Sequence, residues 1–262
     1  MTQELLLIAS GYIVFGVFEI TFAAERGHTV AGRIRNLIYA AMLFGSSFLF
    51  AKLIPVLFPF KPKFLPDRGI FFSILMVLVY AFVMDFIYYW YHRAQHRFEF
   101  LWTIHELHHS DTELNVTTTL RTYWLDRPIQ TMLIVLPIIF GIGIENRAAV
   151  LLPFVLGSWM IFIHTNWRLR LGFLTPVICG PQVHRIHHST RPQHFNKNLA
   201  QYFPVLDILF GTYYAPARDE FPSTGTPGLA SNASLARVMV RPFQVWLKCL
   251  QNMSSALKIG RK

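Results

Sequence analysis

The sequence predicts an all-α fold, an integral-membrane helical bundle with a cytosolic, histidine-rich cap suited to two metal ions. Three observations predict it. The composition is apolar and poor in charge, five apolar runs have the length of membrane-spanning or membrane-embedded helices, and histidines gather in short motifs at the ends of those runs.

The 262 residues are 53% hydrophobic, 15% aromatic and only 15% charged, with a mean hydropathy of +0.38. Soluble domains carry about 25% charged residues, and a globule in water needs a polar surface to stay dispersed. The shortage of charge points to lipid as the solvent. A net charge of +10 does not imply nucleic acid, because the Lys and Arg residues lie between and after apolar runs and form no stripe on a polar fold. From residue 168 onward twelve basic side chains stand against three acidic ones, Asp207, Asp219 and Glu220. Anionic lipid headgroups are the expected partner. Cys179 and Cys249 are too few for a disulfide framework or an iron–sulfur site.

The first run, 5–24, has no basic segment ahead of it and no small-residue cleavage site after it, so a retained span and not a signal peptide is expected. Runs 37–58 and 70–91 have the roughly 20 residues needed to cross the hydrocarbon core. Runs 128–144 and 148–165 are shorter and are joined by Gly141 to Arg147, a pattern expected to form a hairpin that dips in and returns. Such a hairpin lets His92 and His96, at the end of the third run, meet His164, at the end of the fifth. The basic excess of the C-terminal segment, with Arg26, Arg33 and Arg35, places that side and the C-terminus in the cytoplasm of a multi-pass protein, while Lys61, Lys63 and Arg68 pull the other way.

No repeat or linker separates independent domains. The chain reads as N-terminal membrane helices (1–80), a catalytic region (81–216), and a loop with a basic amphipathic tail (217–262). Breakers dominate from Pro216 to Asn232. Beyond them Arg237, Arg241, Gln244, Lys248, Gln251, Ser255 and Lys258 recur every three or four residues, with Phe243, Trp246, Leu247, Leu250 and Leu257 on other faces. Two readings stand side by side, a helix lying in the membrane interface and a solvated helix packed on the domain, with Pro242 starting or kinking it.

Eight of the eleven histidines fall in His92-x-x-x-His96, His105-x-x-His108-His109 and His184-x-x-His187-His188. On a helix, positions i, i+3 and i+4 share a face, so each motif is expected to aim its imidazoles one way. Imidazole suits iron, zinc, copper or nickel, and eight converging rings hold two ions more readily than one. A lone histidine on an apolar face is usually a hydrogen-bonded core residue, but three clusters with one spacing repeated are a different matter. His164 is expected to be a ninth ligand. His194, with Asn196 and Asn198 nearby, is a candidate metal or supporting residue, and His28 is expected in an exposed loop. Asp85, Tyr89, His92 and His96 are 4, 3 and 4 residues apart, so Asp85 can orient a ligand histidine by accepting its second N–H or can bond a neighbouring helix.

The segments Asp85–His96, Trp102–Ser110 and Val183–Ser189 resemble the three histidine boxes of the fatty acid hydroxylase and sterol desaturase superfamily, and Asn115–Arg121 and Asn198–Thr212 resemble its flanking segments. The resemblance covers about residues 80–215. It implies a helical membrane fold capped by a cytosolic site, two iron ions, dioxygen as co-substrate, and a lipid hydroxylated or desaturated at a C–H bond. Carried onto this chain, His92, His96, His105, His108, His109, His184, His187 and His188 are the box ligands, and His164 matches an extra histidine before the last box. Asp85, Asn115, Asn166, Asn198 and His194 are the candidate additional metal or supporting residues. The chain departs from the pattern at Arg168, where some members have a second extra histidine, and at Asn196, where an acidic residue is common.

Electrons must come from a separate ferredoxin, cytochrome or flavoprotein, since the chain has no dinucleotide fingerprint, cysteine cluster or haem domain. A zinc-dependent membrane hydrolase and a metal transporter are the alternatives. The first normally uses fewer ligands and a glutamate base, and no such base is expected here; the second would place ligands near the mid-plane of its spans.

Overall fold

The computed structural model describes residues 3–59, 61, 63–66 and 68–259, with side chains from residue 9 to residue 252. Arg261 and Lys262 lie outside the described residues, and the tail side chains Ser255, Leu257 and Lys258 outside the described side chains. The architecture is all-α: α1 (Gln3–Thr21), α2 (Val30–Leu57), α3 (Ile70–Arg97), α4 (Glu99–His109), α5 (Asp126–Gln130), α6 (Asn146–Ile163), α7 (Pro181–His187), α8 (Val205–Phe210) and α9 (Leu235–Ile259).

Three of these, α2, α3 and α6, are long and apolar enough to cross a membrane, as a multi-pass membrane protein requires. They expose rather than bury many of their large side chains, Phe48, Val56 and Phe71 among them. Apolar surface on that scale is suited to lipid. Five runs were expected. The first forms α1, a 19-residue apolar helix. The fourth differs and is not a regular α-helix: α5 passes into π-helical turns at Thr131–Val135 and Pro137–Ile142. Pro137 has no N–H for the usual i→i−4 bond, and the wider turns carry the chain past it. The run ends at Gly143, whose φ of +93° is open to glycine without strain.

The expected hairpin is present. Two short strands, β1 (Phe64–Leu65) and β2 (Ile144–Glu145), pair in parallel, joining the α2–α3 connection to the hairpin tip. The Glu145 N–H donates to the Tyr80 hydroxyl at 3.1 Å, ten residues into α3, about 15 Å from its start. The tip therefore stops short of the far end of α3, and α6 returns toward the side where α3 ends. Tyr80, Val77 and Ala81 pack there against Ile134, Ile138, Ala148 and Leu152.

The cap is tied to the bundle by buried carboxylates. Asp85 accepts the backbone N–H groups of Gln201, Tyr202 and Phe203 at 2.8, 3.0 and 2.7 Å. Asp207 accepts those of Leu199 and Ala200 at 2.6 and 2.9 Å, and the Thr212 hydroxyl at 2.7 Å. Asp126 takes the Tyr91 hydroxyl at 2.6 Å and Gln95 at 2.9 Å, pinning the start of α5 to the end of α3. Deleting an acceptor leaves each buried N–H to bear a desolvation cost of about 1–3 kcal/mol. Asp85→Ala, which orphans three donors, is expected to lose at least ~3 kcal/mol, seen as a lower midpoint of thermal unfolding in detergent, with Asp85→Asn closer to the parent. A midpoint unchanged in the alanine variant would contradict this role.

Candidate metal centre

Four elements deliver nine histidines to one place. His92 and His96 stand a helical turn apart at the end of α3, His105, His108 and His109 on α4, and His184 and His187 on α7, with His188 as its C-cap. His164 is the C-cap of α6, returned by the hairpin. All are buried except His96, which is half-buried, and they form two groups: His92, His96, His105, His109 and His187 in one, His108, His164, His184 and His188 in the other.

This division corrects the expectation that each motif points one way, because both H-x-x-H-H motifs are split between the two groups. Positions i+3 and i+4 lie on either side of position i, about 100° apart around the helix. His105 and His109 accordingly join one group and His108 the other, while His184 and His188 join the second group and His187 crosses to the first. The two motifs exchange their middle histidines. The groups touch where the His109 and His188 rings stack, centroids 4.4 Å apart.

The ring tautomers follow from the partners. His92 Nδ1 lies 2.6 Å from the Leu199 carbonyl, His164 Nδ1 2.7 Å from that of Met160, and His187 Nδ1 3.0 Å from that of Lys197. A carbonyl only accepts, so each Nδ1 carries the proton and each Nε2 presents a lone pair. Those lone pairs face other ring nitrogens. His92 and His109 Nε2 approach His105 Nε2 at 2.9 and 3.0 Å, and in the second group the steps His108–His164, His164–His184 and His184–His188 are 3.2, 2.9 and 3.1 Å. One hydrogen on His105 can serve only one neighbour, and the Nε2 atoms of His96 and His187 have no partner at all.

A cation in each group removes the conflict. The donor nitrogens of each group all lie within 4.8 Å of one another, near the span of about 4.2 Å that opposite ligands of one ion with bonds of about 2.1 Å take. The rings are also in the right protonation state. Burial, with repulsion from neighbouring imidazoles, holds His105, His109, His184 and His188 well below the usual histidine range, and burial brings His108 and His187 down to about 4. Neutral imidazole is the metal-binding form.

Other candidates lie elsewhere. His194 is fully buried but sits outside both groups, 3.1 Å from the Glu220 carboxylate and against the Tyr214 ring. Asp85 does not orient a histidine directly; it grips the 201–203 backbone, beside Leu199, whose carbonyl holds His92. Asn198 acts at the same remove. It adopts a left-handed φ of 54°, exchanges hydrogen bonds with Tyr214, and lies between Lys197 and Leu199, whose carbonyls accept from His187 and His92. Asn115 caps the 3-10 turn Val116–Leu120 and takes a hydrogen bond from Arg33. Asn166 bonds the Glu25 backbone. His28 is half-buried beside Glu25 at 3.5 Å, not exposed.

Supporting residues absent from the sequence-based set are the buried arginines. Arg121 donates to the Leu107 carbonyl and Ser110 hydroxyl, neutralising the C-terminal end of α4, and its place in the Asn115–Arg121 segment was its only signal. Arg185, between two ligands of the third motif, stacks on Phe221 at 3.7 Å and pairs with Glu25 at 2.7 Å. The expectation that no His-Glu-x-x-His glutamate occurs needs correcting, because His105-Glu106-Leu107-His108-His109 satisfies that zinc-hydrolase signature letter for letter. Glu106 cannot be its base, because it is bound by Arg241 on the side of α4 that packs against α9.

The sequence matches the Fatty acid hydroxylase family over residues 77–212, which contains all nine histidines. The chain belongs to the fatty acid hydroxylase family. Among curated relatives of this hydroxylase-family chain, alkylglycerol monooxygenase of Xenopus tropicalis is 34% identical over 50% of this chain and 28% of its own length, and that of Homo sapiens 33% over 50% and 29%. Ornithine lipid hydroxylase OlsE of Rhizobium tropici is 29% identical over 70% of this chain and 54% of its own length. The chain thus spans only about three tenths of the length of the alkylglycerol monooxygenases it matches. No solved structure matches it.

Because each group draws on both α4 and α7, removing one exchanged histidine weakens one group directly. Protein purified without oxygen from iron-rich cells is expected to carry about two irons per chain, and His108→Ala or His187→Ala to fall toward about one. Plasma emission analysis reads this, and an unchanged iron content would exclude the altered residue as a ligand.

Proposed function

We propose that this protein is a membrane-bound, non-haem di-iron oxidoreductase that hydroxylates or desaturates a C–H bond of a lipid. The observation that carries the reading is the pair of adjoining, all-imidazole groups at the ends of the apolar helices. His92, His96, His105, His109 and His187 would hold one iron, and His108, His164, His184 and His188 the other. Bound there, the pair would supply the reduction of dioxygen that attack on an unactivated C–H bond requires.

The chain's own part is to hold and to exclude. The carbonyls of Leu199, Met160 and Lys197 keep protons on the outer ring nitrogens and leave the inner ones free. Burial keeps bulk water away from the ligands, as a site that handles reactive oxygen needs. His92 and His96 stand on α3, a helix apolar enough to cross a membrane and with exposed Phe86 and Trp90 on its other side, which suits an acyl or alkyl substrate arriving through the bilayer. Similarity to an alkylglycerol monooxygenase and an ornithine lipid hydroxylase supports a lipid substrate. Zinc hydrolysis, which normally uses fewer ligands and a glutamate base, is disfavoured by nine clustered imidazoles and by the engagement of Glu106 with Arg241.

Reducing equivalents would come from a separate ferredoxin, cytochrome or flavoprotein, with the basic cytosolic face steering an acidic carrier. The test is lipid mass spectrometry of cells with and without the gene. A lipid class gaining one oxygen or losing two hydrogens, dependent on His187, is expected; an unchanged lipidome with expressed, iron-loaded protein would refute the reading.

A further inference from the structure

The helix α9 shows what the tail is for. Its inner face packs on the cap: Val238 joins Tyr39, Ile104, Leu107, Tyr123 and Leu229, the Trp246 indole donates to the Phe100 carbonyl at 2.9 Å, and the Tyr123 hydroxyl donates to that of Met239 at 3.0 Å. Arg241 engages Glu106 through both Nε and Nη2. Glu106 is 1% exposed and lies between His105 and His108, so α9 supplies the charge without which this carboxylate would be buried and unpaired.

The outer face carries Val240, Phe243, Leu247 and Leu250, spaced three and four apart and 48–63% exposed. Exposed Arg237 and Lys248 border this stripe. Its level in the molecule is fixed by Trp246, which contacts Phe100, three residues beyond Arg97, where α3 ends. The rings of Phe100, Trp246 and Phe243 are in contact at 5.1 and 5.2 Å, joining the stripe to exposed Phe100 at the start of α4. A second copy of the chain would bring basic borders against basic borders. Anionic headgroups complement them.

We propose that α9 lies in the headgroup layer of an anionic leaflet on the side of the histidine site, with the Val240, Phe243, Leu247 and Leu250 stripe in the acyl region. This seat braces α4, and with it the second histidine motif, through the Arg241–Glu106 pair. The reading does not depend on the reaction catalysed.

The test uses the full chain in vesicles of phosphatidylcholine with phosphatidylglycerol, and of phosphatidylcholine alone. Nitroxides are attached at Leu247→Cys or Lys248→Cys in a Cys249→Ser background, Cys179 being buried. In anionic vesicles the 247 label is expected to collide with oxygen and be shielded from a water-soluble nickel chelate, the 248 label to do the reverse, and the contrast to shrink without phosphatidylglycerol. Collision of both labels with the chelate would overturn the proposal in favour of a solvated helix. Dipolar broadening at 247 that vanishes on dilution with unlabelled chain would overturn it in favour of a second copy. For the brace, Phe243→Asp with Leu247→Asp is expected to speed hydrogen exchange of the α4 amides about tenfold. Arg241→Ala is expected to do the same while the 247 label keeps its depth. Exchange unchanged in both variants would overturn the bracing role.

Discussion

Nine imidazoles gathered out of water, seven of them with an inner nitrogen 2.9–3.2 Å from that of a neighbour, are held against their own preferences. Each neutral ring has one hydrogen to give and one lone pair to place. Where the hydrogen is committed outward to a backbone carbonyl, the lone pair must meet a cation or another lone pair. The outward commitments therefore decide the chemistry inward. Leu199 and Lys197, which make two of them, lie in an irregular segment with no helix or strand of its own to fix it, and that segment needs an external hold.

Acidic side chains provide the hold. Asp85 and Asp207 between them take five backbone N–H groups of residues 199–203. Glu19, in α1, accepts from Arg33 and from the N–H groups of Val116 and Asn166, drawing three parts of the cap together. Glu106 faces away from the ligands toward Arg241. These carboxylates, with Asp126 on the Tyr91 hydroxyl and Gln95 and Asp111 on Asn36 and Thr118, are spent on backbone, arginine and polar side chains, and the set is left purely imidazole. That separation of labour fits a centre that must stay soft enough in its ligands for a redox metal, and it explains why buried acids sit so close to the histidines without touching them.

The bundle and the presence of the site were legible because both rest on local pattern. Run length and apolarity mark α2, α3 and α6, and the repeated H-x-x-H-H spacing marks the site. What the sequence could not supply is set by partners far along the chain. Asp85 meets Gln201, 116 residues away, so its spacing from His92 suggested a contact that does not exist. His194 looked like a ligand from its neighbours and is claimed by Glu220, 26 residues on. The exchange of His108 and His187 depends on how α4 and α7 face each other, which neither motif contains. The fourth apolar run had the composition of a helix, and Pro137 turned it into π-turns that no apolar count registers.

The exchanged histidines also bear on how the chain is closed. His109 and His184 are separated by 75 residues, and bringing the ends of such a loop together carries an entropic cost of about 4 kcal/mol plus a constant. An ion in each group would bridge α4 to α7, and the two would act as parallel rivets across one long loop, in the way a disulfide would, but with bonds that form only once the last motif has been synthesised. Until then α4 holds three imidazoles without their counterparts. Metal loading would then be a late step that locks the cap, and a chain deprived of metal would keep its membrane helices while its cap remained the least stable part of the molecule.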